Sequence, residues 1–215
     1  MQDFIAINEQ RAEFYWWMSS LFAKELTEAD LQNYFGGEMG NYFSSLAMTP
    51  ELSQPVANFR ESLSKLKKRP DTQLELSADF CGLFLSTPKT GALPYASLFL
   101  CDSGLLNEKP AQDMAAWMKK FDIAQRKDFN EPSDHLAIIL DFLGNLIIRT
   151  NTEKDEVQQE ALMQEQLTFI NDMLTSWLTL FQALVTKQDP FGFYSAAAKL
   201  LSAFVVLDIA FLKGE

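Results

Sequence analysis

Apolar positions recur along this chain every three or four residues, the spacing that lines one side of an α-helix. Residues 5–23 form the first such run, dense in aromatics: Phe14, Tyr15, Trp16, Trp17 and Phe22. Thr27 and Asp30 then stand at capping-box spacing for a helix that Gly36-Gly37 ends. Pro50 and Pro55 mark a further start, Phe59, Leu63 and Leu66 supply its apolar face, and Pro70 stops it. Residues 74–85 repeat the pattern through Leu76, Phe80, Leu83 and Phe84. Residues 86–91 are a loop, and 93–100 are a short apolar stretch that suits a short helix or an extended piece. Pro110 opens another helix through Met114, Trp117 and Phe121.

Residues 124–130 are polar and without period, and read as a linker. From Pro132 the pattern strengthens, with Leu136, Ile139, Leu140, Leu143, Leu146 and Ile147 on one face. A polar turn at 151–155 leads to a seam from Met163 to Leu184 that alternates by four and three. Such a seam suits a bundle helix or a coiled coil. Pro190 begins a last helix, apolar nearly all round and therefore central. The expected fold is all-α: a helical bundle of two halves, 1–123 and 132–215, joined by a polar hinge at 124–131. Such a hinge would let two copies exchange halves as a homodimer.

Composition sharpens this picture. Thirty leucines against five valines favour helices over strands. A net charge of −11 opposes nucleic acid, since the one basic cluster, Lys65, Lys67, Lys68 and Arg69, is short. It suits a cationic partner such as a basic peptide. One histidine and two cysteines, Cys81 and Cys101, cannot build a usual zinc cage. Buried free thiols are expected, with a disulfide left open. The first residues show no basic segment leading into an apolar one, so no signal peptide is expected. Lys199 and Asp208 interrupt the most apolar stretch, 196–212, which reads as a buried helix and not a membrane insertion. Together these features predict a cytoplasmic protein.

Candidate chemistry concentrates in Glu131-Pro132-Ser133-Asp134-His135, which holds the sole histidine. As local structure it makes a helix start: Pro132 at the first helical position, Glu131 near the cap, Asp134 reaching back to free backbone donors. As a site, Glu131 and His135 share a face four residues apart, with Asp134 as a second carboxylate. That cluster would attract a cation, and His135 would titrate near neutral pH. No Gly-x-Ser-x-Gly elbow is present, and metal ligands are too few. The enzymatic alternative is a small nucleotide-binding hydrolase using Glu131, Asp134 and His135. It is opposed by the concentrated negative charge and by the lack of a phosphate loop, since Lys89-Thr90-Gly91 is too little. A second constellation, Phe80, Leu83, Phe84, Pro94 and Tyr95, brackets the 86–93 segment. It reads either as core packing or as an apolar groove that receives a partner.

Together these segments resemble the TorD/DmsD family of redox enzyme maturation chaperones. The resemblance rests on Arg11-x-x-x-Tyr15 with Leu21-Phe22, Asp79-Phe80-x-x-Leu83-Phe84-Leu85, Leu93-Pro94-Tyr95-x-Ser97 and Glu131-Pro132-x-Asp134-His135-Leu136. It spans most of the chain, and the last element is the most specific. The pattern is nearest to the branch that serves trimethylamine N-oxide reductase. The resemblance implies an all-helical, cytoplasmic, non-catalytic protein. Such a chaperone binds the twin-arginine signal peptide and apo form of a molybdoenzyme, assists molybdenum cofactor insertion and delays export. It implies a peptide-binding surface of Phe80, Leu83, Phe84, Pro94, Tyr95, Glu131, Pro132, Asp134 and His135. Several family members carry tryptophan where this chain has Phe80 and Tyr95. No cofactor is expected, and guanine nucleotide enters by the resemblance alone.

Overall fold

The computed structural model describes residues 2–215, and its regular elements are helices, as the three-and-four spacing requires. The first five are α1 (Gln2–Ala23), α2 (Glu28–Tyr34), α3 (Gly37–Leu46), α4 (Pro50–Leu66) and α5 (Thr72–Phe84). A short α6 (Ser97–Leu100) precedes α7 (Lys109–Phe121) and α8 (Leu136–Thr152). Then α9 (Glu156–Ile170) runs through a π-helical turn (Asn171–Thr175) into α10 (Ser176–Gln188), and α11 (Phe193–Lys213) completes the chain.

Local chemistry sets most of these starts. Thr27 caps α2 in a full capping box, its hydroxyl accepting from Asp30 N and the Asp30 carboxylate accepting from Thr27 N at 2.8 Å. Pro50 and Pro110 occupy first-turn positions of α4 and α7, where no backbone donor is needed. Pro55 lies inside α4 instead of starting it. Pro132 and Pro190 also differ from the sequence reading, because both stand ahead of their helices. His135 is the cap of α8, and at the start of α11 the Asp189 carboxylate accepts from Gly192 N and Ser195 N at 2.8 Å each. Helix α3 was not expected from the sequence. The seam from Met163 to Leu184 is interrupted by the π-turn, which adds a residue to one turn of the helix.

The chain divides into two compact units that are not sequential. The first takes residues up to Ala23, Pro94–Leu178 and Asp208–Glu215; the second takes Lys24–Leu93 and Thr179–Leu207. Residues 124–131, read from sequence as a hinge between halves, lie within the first unit. That segment is tied down. Gln125 Nε2 donates to the carbonyls of Phe129 at 2.5 Å and Glu131 at 3.0 Å. An exchange of halves across it would have to break those bonds.

In the first unit α1 packs along α8 more extensively than any other described helix pair. Gly144 makes the approach close: a Cβ there would stand 2.7 Å from Trp16 Cδ1. We expect Gly144→Val to lower unfolding free energy by about 1–3 kcal/mol through overpacking, measured by urea denaturation.

The same unit buries an ionic network. Arg11 Nε donates to Asp208 Oδ1 at 2.5 Å, Nη1 to Asn8 Oδ1 at 2.7 Å and Nη2 to Gln166 Oε1 at 2.8 Å. Tyr15 Oη donates to Asp208 Oδ2 at 2.8 Å, and Gln166 passes the chain on to Thr150 Oγ1 at 2.8 Å. Burial, and then the charge of Asp208, holds the Tyr15 phenol well above its usual range. Asp208 thus interrupts the apolar run of α11 for a structural purpose. That helix is long and apolar enough to cross a bilayer, and over half of its most apolar stretch is buried in the protein.

The second unit has an aromatic core. Phe59 lies 5.5 Å from Phe43 and 5.4 Å from Phe193, and Phe193 meets Tyr194 edge-on at 5.0 Å. Arg69 closes one side, donating to Asp79 at 2.8 Å, pairing with Glu75 at 3.1 Å and lying over the Phe191 ring. Both cysteines are free. They are not buried as expected, since Cys81 is exposed and Cys101 half-exposed.

Candidate functional site

Residues 94–97 lie against residues 131–136, all in the first unit. Tyr95 and His135 form an isolated antiparallel bridge. Ala96 N donates to Asp134 O at 3.1 Å, and Leu136 N donates to Pro94 O at 2.8 Å. Proline lacks a donor but keeps its acceptor, so Pro94 takes the one ladder role open to it.

Asp134 sits inside this crossing, fully buried. Its Oδ2 accepts from Ser97 N at 2.7 Å and Ser97 Oγ at 2.6 Å, which holds the start of α6. Ser97 Oγ in turn accepts from Glu108 N at 3.2 Å, tying in the approach to α7. The other oxygen, Oδ1, is buried with no hydrogen-bond partner among the described residues. The sequence reading has Asp134 reach back to the backbone at the start of its own helix. In the structure it braces a different helix, 37 residues away in sequence.

His135 is the cap of α8. Its Nδ1 accepts from Ala137 N at 3.1 Å, so this nitrogen is unprotonated and the ring proton resides on Nε2. Tyr95 and Phe129 meet the imidazole edge-on at 4.9 and 5.1 Å. Burial pushes the imidazole pKa down to about 3. The expectation that His135 titrates near neutral pH therefore fails in the folded protein. Glu131 and His135 do not share a helical face either, since α8 begins only at Leu136.

Glu131 is the carboxylate on the accessible side. It is half-buried, as are Pro132 and Ser133, and it accepts from Tyr95 Oη at 2.7 Å. Burial, and then this bond, raises the Tyr95 phenol. Ser133 and Gln125 border an open groove of about 420 Å³ whose other walls include Met118, Ile123 and Ala124. Gln125 and Phe129 escaped the sequence reading, and Ser97 entered it only as part of a motif, with no role. The polar character of 124–130 hid two residues that the turn uses.

The aromatic constellation is divided. Pro94 and Tyr95 belong to the first unit, and Phe80, Leu83 and Phe84 to the second. Within that second unit all three are buried. Phe80 and Phe84 pack at 5.1 Å from each other and at 5.8 and 5.1 Å from Tyr194. Leu83 O accepts from Ala92 N at 2.7 Å, which folds the 86–91 loop back onto α5. Asp79, beside them in sequence, is committed to Arg69. No group of three or more acidic, histidine or cysteine side chains among the described residues is placed to hold a metal ion.

Residues 46–183 match the family model described as nitrate reductase delta subunit. Over all 215 residues, and over the whole of each relative, the chain is 61% identical to the chaperone protein TorD of Photobacterium profundum. On the same full coverage it is 54% identical to that of Aliivibrio fischeri and 53% to that of Vibrio vulnificus. A putative redox enzyme maturation protein from Archaeoglobus fulgidus aligns over 82% of this chain and 92% of its own, at 18% identity and a TM-score of 0.41, too loose a likeness to add weight. At 61% and 54% identity over the full length of these relatives, the chain belongs to the TorD family of redox enzyme maturation chaperones, and it is a chaperone and not an enzyme.

Proposed function

We propose that this protein is a cytoplasmic chaperone for trimethylamine N-oxide reductase. In this reading it binds the reductase's twin-arginine signal peptide and its apo form, assists molybdenum cofactor insertion and holds back export until folding is complete. The observation that carries the reading is the placement of Glu131. A carboxylate oriented by Tyr95 stands on the accessible side of a braced turn beside an open groove partly lined by Met118 and Ile123. A twin-arginine leader combines basic residues with a moderately apolar stretch. Glu131 would take an arginine and the groove part of the apolar stretch. The net charge of −11 would steer such a leader toward the protein.

Burial assigns the remaining turn residues a different part in this reading. Asp134 and His135 shape the turn from within, while Glu131, Pro132 and Ser133 meet the peptide. Phe80, Leu83 and Phe84 act through the packing of the second unit.

The test is calorimetric titration of the leader peptide into the full chain. Glu131→Gln keeps a hydrogen-bond acceptor for Tyr95 and removes the charge. It is expected to weaken binding roughly three- to tenfold while leaving the thermal midpoint nearly unchanged. Unaltered affinity in that variant would move the peptide site away from this turn.

A further inference from the structure

Helix α7 lines two grooves. Ala115, Met118 and Lys119 face the one beside the Glu131 turn. Asp113, Ala116, Trp117 and Lys120 face another, of about 440 Å³, whose opposite wall is Asp172 and Met173 of the π-turn. All of these residues belong to the first unit.

Trp117 is fixed in this second groove. Its indole lies parallel to the Phe121 ring at 5.8 Å and edge-on to Phe169 at 5.3 Å. The Lys120 ammonium stands 4.8 Å from the indole centroid and pairs with Glu165 at 2.6 Å. The ring therefore already serves as a cation platform, and its occupant is a half-exposed lysine that can swing away. The π-turn supplies the second observation. A π-turn interrupts regular helical bonding and recurs at functional sites. Here it brings an exposed carboxylate, Asp172, and an adaptable thioether, Met173, to the groove. Asp172 makes no ion pair among the described residues, whereas Asp113 is paired with Lys109.

We propose that this groove receives an arginine side chain of the leader peptide. The guanidinium displaces Lys120 from the indole, stacks on Trp117 and bonds to Asp172. Arginine fits better than lysine because a planar guanidinium can stack and bond a carboxylate at once. A leader laid across α7 places one arginine here, while another of its basic residues reaches Glu131 and part of its apolar stretch lies in the groove beside the turn. The inference rests on the signal-peptide reading above.

The experiment titrates the leader, and a copy with both arginines replaced by glutamine, into the full chain. Asp172→Asn is expected to weaken binding of the arginine leader roughly threefold, and Lys120→Ala to strengthen it by a similar factor. Neither change should alter binding of the glutamine copy. Glu156→Gln and Lys154→Ala, exposed charges of the same unit, measure the general field and should have smaller effects. If the arginine leader binds and the groove variants match the wild type or these controls, the groove assignment falls while the chaperone reading stands. If the groove variants shift both peptides equally, the groove does not take arginine and the proposal is overturned. If the wild type binds neither peptide, the signal-peptide reading itself fails.

Discussion

Arg11→Ala is expected to lower unfolding free energy by about 3–5 kcal/mol, among the largest single losses available in this protein. The reason is what the substitution leaves behind. Asp208 is 3% exposed, and without the guanidinium its carboxylate keeps Tyr15 as its hydrogen-bond donor but has no counter-charge. Asn8 and Gln166 each lose a partner in the same step. The paired replacement Arg11→Met with Asp208→Leu should recover most of the loss, because a buried ion pair exchanged for apolar groups of similar volume is often close to neutral. Recovery will be incomplete, since Tyr15, Asn8 and Gln166 were all oriented by the pair. Denaturant midpoints for the two single variants and the double variant decide it. Strict additivity would mean that Arg11 and Asp208 are not coupled and that the network does not hold α1 to the end of α11.

This network shows where sequence reading stops. Arg11 and Tyr15 stood out only as a motif of the resemblance, and Asp208 as an interruption of an apolar stretch. That the three meet could not be read, because 197 positions separate Arg11 from Asp208. The helices themselves were largely legible, since spacing, capping pairs and prolines act within one or two turns. Helix α3 escaped because its short segment GEMGNYFSSL carries two glycines and buries only Phe43. Pro132 and Pro190 misled for a physical reason. A proline can open the turn that leads into a helix as readily as the helix itself: His135, three positions after Pro132, is the cap of α8, and Asp189, just before Pro190, accepts from the first turn of α11.

The candidate site was legible in its residues and not in their roles. Glu131, Asp134 and His135 are neighbours in sequence, and the structure adds Tyr95, which the sequence placed with the aromatic set. Burial then separates them. Asp134 and His135 brace the crossing from inside, and only Glu131 keeps a charge within reach of solvent. Polarity along a sequence does not report burial, so residue type alone could not distinguish a carboxylate that binds a ligand from one that holds a loop. The aromatic set illustrates the converse. Phe80 and Phe84 look like an apolar cleft in sequence, and Tyr194, more than a hundred positions later, fills the space beside them.

Lowering the pH from 7 to 5 is expected to cost the protein about 2 kcal/mol of stability through His135 alone. The folded imidazole has a pKa of about 3, and the unfolded one sits near 6.5. Between those values the unfolded chain binds a proton that the native state refuses. The stabilisation is therefore complete above about pH 6.5 and is lost as pH falls toward 3, at up to about 1.4 kcal/mol per unit. The structural cause is double. Protonation would place a charge between the edge-on rings of Tyr95 and Phe129, and it would remove the lone pair that accepts from Ala137 N. Burial alone sets this direction, with no neighbouring carboxylate offsetting it. Because His135 is the sole histidine, no other side chain of ordinary pKa titrates between pH 5 and 7. His135→Asn should keep the cap, since asparagine is a favoured capping residue, and flatten the stability profile across that interval. Urea denaturation at pH 7, 6 and 5 on both proteins reads the difference directly. A wild-type profile as flat as the variant's would show that the imidazole is open to solvent, and with it the crossing that presents Glu131.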